Sequence, residues 1–222
     1  MSLPDPGSTP RTRIRRLPER AVSERAALHH VLDAGLIAHV SVVDDGQPYV
    51  VPVAYARRGE DVVFHGSTGS RLFRSLVEGQ PLCLTVTLLD GLVVARSAFE
   101  SSMNYRCAMV LGTARRLSGD DELDALRTIT EHLLPGRWSE CRPPSAKERA
   151  ATMTLAVSLD EASVKIRSGG PEDIPEDVVD PQYARVWAGT VPIIESFGTP
   201  VRSDETFADV EVPAYVQEWR RT

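Results

Sequence analysis

Residues 36–66 read LIAHVSVVDDGQPYVVPVAYARRGEDVVFHG, and this stretch decides the fold. From Leu36 to Val43 it is apolar and β-branched, which suits a pleated, half-buried surface. Asp44-Asp45-Gly46 then supplies a tight turn, and Val50, Val51 and Val53 mark a partner strand from Pro48 to Tyr55. Arg57 to Asp61 turns the chain again into a third strand, Val62-Val63-Phe64-His65. Turns this short join antiparallel neighbours, because a parallel crossover takes a dozen or more residues. The stretch is an antiparallel meander.

The flanking segments fit around it. Upstream, Ala26, Ala27, Val31 and Leu32 recur at helical spacing between Ser23, a predicted N-cap, and Gly35, a predicted stop. Downstream, Ser70 to Glu78 reads as a helix with Leu72, Phe73, Leu76 and Val77 on one face. Leu82 to Leu89 is a strand, turned by Asp90-Gly91 into Leu92 to Ala95, and another runs from Tyr105 to Ala114. Ser118 with Asp121 predicts a capped helix ending at Leu134, and Lys147 to Ala151 a short one. The last strands are Met153 to Leu159 and Val164 to Arg167. Many short antiparallel strands with few helices predict a mostly β (α+β) fold, a closed or partly closed barrel without exposed edges.

Three regions emerge. Residues 1–20, rich in proline and arginine, are expected as a flexible N-terminal arm, and residues 21–167 as the barrel domain. Residues 168–222 are punctuated by proline and show little periodicity, which predicts an irregular tail packed on the barrel or on a partner subunit.

Composition narrows the class. The 222 residues are 42% hydrophobic and 25% charged, in the ordinary globular range. A net charge of −6 argues against a broad nucleic-acid-binding face, and the basic stretch Arg11 to Arg16 reads as a solvated arm. Only Lys147 and Lys165 among the 25 basic residues are lysines, a skew that suits anion binding and also a GC-rich genome. Cys83, Cys107 and Cys141 form no C-x-x-C pair; the first two read as core residues, and no metal site is expected. No apolar leader or membrane-length run occurs, so the expectation is a cytoplasmic, soluble protein without a membrane partner.

The segment His65-Gly66-Ser67-Thr68-Gly69-Ser70-Arg71 carries the most chemistry. It leaves a strand, passes two glycines and three hydroxyls, and enters a helix with arginine in its first turn. Glycines admit a phosphate to the backbone, helix-start N–H groups donate to it, and arginine binds two oxygens at once. A plain strand-to-helix turn capped by Ser70 is the alternative. The segment is neither a Walker loop nor G-x-S-x-G, and no G-x-G-x-x-G occurs. His65 reads either as a structural hydrogen-bonder or as a donor or ligand beside that turn.

Pro52-Val53-Ala54-Tyr55, Phe64-His65-Gly66-Ser67 with Ser70-Arg71, Cys83 to Thr87, Met103-Asn104-Tyr105-Arg106, Gly112-Thr113-Ala114 and Pro135-Gly136-Arg137-Trp138 occur in that order. Together they resemble the pyridoxamine 5′-phosphate oxidase-like family of FMN-binding split barrels, in its nitroimidazole-resistance-like branch, over roughly residues 13–167. The resemblance implies a six-stranded antiparallel split β-barrel with peripheral helices, forming a homodimer with FMN at the interface. By that likeness Ser67, Ser70 and Arg71 take the FMN phosphate, with His65 and Gly66 beside them in the cofactor site. Val51, Pro52 and Val53 lie along the ring edge. Asn104, Tyr105 and Arg106 approach from neighbouring strands or across the dimer, and Trp138 reaches over from the partner subunit. Two departures stand out: Cys107 replaces a serine common in the branch, and the basic residues that bind pyridoxal phosphate have no counterparts. Oxidation of vitamin B6 is therefore not expected.

Two functions remain open. One is an FMN-dependent oxidoreductase acting on an unidentified small molecule with electrons from NAD(P)H; the flavin supplies the chemistry, so no separate catalytic residues are assigned. The other is a non-enzymatic flavin or haem carrier. Deazaflavin is an alternative cofactor.

Overall fold

A computed structural model of the chain describes residues 3–219. Residues 1–2 and 220–222, the outer ends of the expected arm and tail, lie outside the described residues. Ala21–Val22 (β1) and the helix Arg25–Ala34 (α1) lead into the meander, Ile37–Asp44 (β2), Gln47–Arg58 (β3) and Asp61–Ser67 (β4). Arg71–Val77 (α2) precedes two long strands, Pro81–Val94 (β5) and Ser102–Thr113 (β6). Arg115–Arg116 (β7), Gly119–Leu133 (α3), Ala146–Ala150 (α4), Thr152–Ser158 (β8) and Glu161–Arg167 (β9) follow. The tail contributes Pro175–Val179 (α5), Gly189–Pro192 (β10) and Ala214–Gln217 (α6).

The strands run in the order β1-β9-β6-β5-β2-β3-β4-β8-β7, with β10 added beside β5. Every pairing is antiparallel. The split lies in β3. Gln47 to Ala54 pairs with β2, whereas Tyr55 to Arg58 pairs with β4. The β2–β3 turn places Asp45 and Gly46 at φ 49° and 75°, the left-handed pair that matches hairpin twist.

The interior is filled by alternate residues of the strands, among them Val40, Tyr55, Phe64, Leu84 and Leu155. A second cluster, Ala56, Val63 and Ala156 with Leu117, Ala125 and Ile129, seats α3 on the outside. Tyr55 is fully buried, and its hydroxyl donates to the Leu32 carbonyl at 2.6 Å. Gly35 ends α1 beside it without adopting a left-handed φ (−82°). Close approach requires the glycine: a Cβ there would stand 2.4 Å from Val86 Cγ1 and 2.6 Å from the Tyr55 hydroxyl. Tyr55→Phe is expected to cost about 1–3 kcal/mol by leaving a buried carbonyl short of its donor. Urea denaturation would show it as a lower midpoint at constant m, and an unchanged midpoint would contradict it.

Several local expectations change. Asp90-Gly91 is not a turn but a bulge within β5, where the register shifts between Leu89 and Gly91. Gly91 is needed because β10 lies against it; a Cβ would meet the Val191 carbonyl oxygen at 2.8 Å. Ser118 precedes α3 without a side-chain cap, and the capping box belongs to Ser145 and Glu148 at α4. Cys83 and Cys107 are half-exposed on the outer sheet face rather than in the core, because they alternate with buried Leu84 and Ala108. The N-terminal segment lies along β9 instead of extending away from the barrel. Gly7 N–H donates to the Ala162 carbonyl (2.7 Å), the Thr9 hydroxyl to Glu161 (2.7 Å), and Lys165 to the Arg16 carbonyl (2.8 Å).

The outer face of β2, β3, β5 and β6 is unusual. Ile37, Val43, Val50, Leu89, Leu92 and Met103 project there at 42–57% exposure. A solvated sheet face ordinarily alternates buried apolar with outward polar residues. Here large apolar residues share the outward positions with His39, Ser41, Thr85 and Thr87.

Candidate functional site

The β4–α2 turn forms where β3 and β4 part. His65, Gly66 and Ser67 keep their ladder to β8, opposite Thr154, Met153 and Thr152, but their ladder to β3 has ended at Phe64. The β4-facing edge of Val51, Pro52 and Val53 therefore carries no strand, which leaves a cleft beside the turn. Gly66 is held against Phe73 of α2; a Cβ would fall 2.2 Å from its ring. This contact fixes where α2 begins.

Within the turn, the Ser67 hydroxyl accepts from Gly69 N–H (3.1 Å), and Thr68 N–H donates to the Ala151 carbonyl (3.0 Å). Ser70 stands at the N-cap, but its hydroxyl makes no capping bond. Arg71 is exposed, pairs with Asp44 at 3.3 Å, and lies over the Tyr49 ring at 4.3 Å. Both partners come from the β2–β3 hairpin and escaped the sequence reading, since contacts between separate hairpins leave no local pattern. A surface ion pair of this kind contributes at most about 1 kcal/mol, so a phosphate dianion can replace Asp44. The tyrosine keeps the guanidinium in place meanwhile.

His65 lies deeper. Burial holds its pKa below the ordinary value, so the imidazole is neutral at pH 7. Its Nδ1 is buried without a partner, and so is the hydroxyl of Thr154 directly across the ladder. Two adjacent orphaned polar atoms beside an open turn fit a bound group that supplies the missing bonds. Among the described residues no group of three or more His, Cys, Asp or Glu could hold a metal ion by itself.

The remaining sequence candidates lie elsewhere. Asn104 pairs with Gly91, and Tyr105 with Leu89. Asp44 is near the other end of β5, since Ser41 pairs with Cys83. The separation along β5 is about eight residues, roughly 27 Å at the rise of a strand. Asn104 and Tyr105 therefore do not meet the turn within one chain. Instead Asn104 accepts from Arg167 (2.6 Å) and donates to the Gly169 carbonyl (3.0 Å), and Arg106 pairs with Asp90. Trp138 is half-buried, and its backbone N–H donates to Glu131 (2.8 Å), which ties it to the end of α3.

A model of the pyridoxamine 5′-phosphate oxidase family matches residues 24–166, most of the chain. The chain belongs to that family. The match ends at the last barrel strand, and the tail lies beyond it. Two solved structures are similar over nearly the whole length. The FAD and haem binding protein from Mycobacterium smegmatis is 39% identical over 89% of this chain and 95% of its own, with a TM-score of 0.84. The flavocytochrome Anf3 from Azotobacter vinelandii is 37% identical over 99% and 100%, with a TM-score of 0.90. A 5-nitroimidazole antibiotic resistance protein from Bacteroides thetaiotaomicron shares the fold at 18% identity, covering 66% of this chain and 86% of its own (TM-score 0.56). No curated protein sequence matches. The expected fold class, a mostly antiparallel split barrel, is the one found. The strand count differs: among the described residues seven longer strands and the short β1, β7 and β10 make ten, where six were expected. No helix among the described residues is long and apolar enough to cross a membrane.

Proposed function

We propose that this chain is a flavin- and haem-binding redox protein that works as a homodimer. The observation that carries the reading is the 37–39% identity, over nearly the whole of both chains, to a FAD and haem binding protein and a flavocytochrome. The family resemblance pointed to FMN; the FAD and haem binding protein favours FAD. Ser67, Ser70 and Arg71 suit the flavin's phosphate end, and the strand-free edge of Val51 to Val53 suits its ring. Bound there, a flavin supplies hydride and single-electron transfer. The chain's own part is to clamp the phosphate, exclude water from the cleft and offer the other face to a donor, for which NAD(P)H is proposed. His65 suits a haem iron as a neutral imidazole ligand. The acceptor is a small molecule.

The homodimer reading is supported by the apolar outer face, which a second copy would cover, and by the ~27 Å gap that keeps Asn104 and Tyr105 from the turn of their own chain. The three free cysteines suit a reducing, cytoplasmic setting.

The test is the absorbance spectrum of purified protein. Flavin bands together with a Soret band are expected, with the flavin band bleached by NADH or NADPH under anaerobic conditions. His65→Ala is expected to remove most of the Soret band and leave the flavin bands. A colourless protein that takes up neither cofactor would overturn the reading, and an unaltered Soret band would remove His65 from it.

A further inference from the structure

A cavity of about 320 Å³ lies between the N-terminal segment and the outer sheet face, lined by Arg11, Arg13, Arg16 and Lys165 with Ile14 and Met109. No carboxylate lines it. Among the described residues none of these three arginines has an ion pair, although the chain carries net charge −6. The segment is pinned to the barrel, with Thr12 only 2% exposed, so like charges are held together at a standing Coulombic cost. The groove is continuous with the apolar face: Thr85 in its lining pairs with Met109 on one side and with His39 of β2 on the other.

The tail has the opposite character. Between Ser203 and Val212 it carries Asp204, Glu205, Asp209 and Glu211 and no basic residue. Apolar side chains of the tail face solvent, Ile194 at 86%, Val201 at 95% and Phe207 at 78% exposure. Residues 193–203 include no helix or strand. Ten extended residues span about 33 Å, and five strands lie about 19 Å across, so the segment is long enough to cross a sheet. In its own chain it supplies none of the groove's lining, and Pro200, Arg202, Ser203 and Glu211 lie instead against Arg137 and Glu140. β10 ties it to Gly91–Val94 of β5, and Tyr215 ties it to Glu140 near the end of α3.

We propose that residues 193–212 form a strap that crosses the outer sheet face of a second copy of this chain and sets its acids against that copy's Arg11, Arg13 and Arg16. The apolar strap residues meet the apolar face, the acids neutralise the groove, and two-fold symmetry repeats the exchange. The strap deepens the homodimer named above and assigns it to a segment outside the matched family region.

The test uses full-length protein in light scattering at several salt concentrations, with flavin and haem absorbance read in parallel. Wild type is expected to be a dimer whose dissociation constant rises with salt, because screening weakens charge pairing. Asp204→Lys/Asp209→Lys/Glu211→Lys and, separately, Arg11→Glu/Arg13→Glu/Arg16→Glu are each expected to raise that constant at least tenfold. Combining both sets is expected to restore most of the affinity. A monomeric wild type, a dimer indifferent to either set, or loss without rescue overturns the strap. If the arginine variant keeps the dimer but loses affinity for inorganic pyrophosphate, the groove is a small-anion site and the strap is wrong. A rescued dimer that binds no cofactor sinks the redox reading alone.

Discussion

Arg71→Ala is expected to weaken flavin binding by roughly 10- to 100-fold. A hydrogen-bonded contact to a charged group contributes about 1.5–3 kcal/mol, and each 1.4 kcal/mol is a factor of ten. Asp44 pulls the other way: the free protein already pairs Arg71 with it, and that pair must break before the phosphate binds. Its strength offsets part of the gain, so the loss belongs toward the lower end of the range. Asp44→Asn is then expected to tighten binding several-fold. Arg71→Lys is expected to recover only part of the affinity, because an ammonium keeps the charge but neither the fork nor the flat stack on Tyr49. Titration of apoprotein with FAD and FMN, followed by fluorescence quenching, measures all three. Riboflavin, which lacks the phosphate, is expected to bind weakly and to be indifferent to Arg71. Equal dissociation constants for wild type and Arg71→Ala would remove the phosphate from this turn.

Gly66→Val is expected to damage fold and site together. The added Cβ would sit 2.2 Å from the Phe73 ring, far inside contact distance, and Phe73 is 3% exposed with nowhere to go. Overfilling a packed core costs about 1–3 kcal/mol, and for a chain of this length each kcal/mol lowers Tm by roughly 2–4 °C. Relief must come from α2 moving off β4, and α2 carries Ser70 and Arg71 at its start. Lower Tm and weaker flavin binding should therefore appear in the same variant. Gly69→Ala is the control for Tm alone, since a Cβ there would meet nothing nearer than the Ser67 hydroxyl at 3.5 Å. A Gly66→Val protein with unchanged Tm would mean that α2 is not seated through Phe73.

Much of this protein was legible from residues alone. The meander followed from apolar, β-branched runs and the tight Asp44-Asp45-Gly46 turn, because strand propensity and turn chemistry are local properties. The segment His65 to Arg71 announced itself for the same reason: glycines, hydroxyls and arginine in one strand-to-helix turn. Whatever required two distant segments to meet was invisible. Gly91 read as a turn because its reason, the β10 backbone lying against it, arrives from a hundred residues downstream. The partners of Arg71 went unseen because Asp44 and Tyr49 lie on another hairpin. Arg11 to Arg16 read as a solvated arm because its docking onto β9 depends on Glu161, Ala162 and Lys165. Family likeness had Asn104 and Tyr105 approach the flavin from neighbouring strands or across the dimer, and only the register of β5 shows them at its far end within one chain. The sequence by itself determined the β2–β3–β4 meander with its turns and the strand-to-helix segment from His65 to Arg71, since each is encoded within a few residues. Only the tertiary structure decided where β3 and β4 part, which side chains flank the cleft and which apolar face is left uncovered, since pairing between distant strands sets all three.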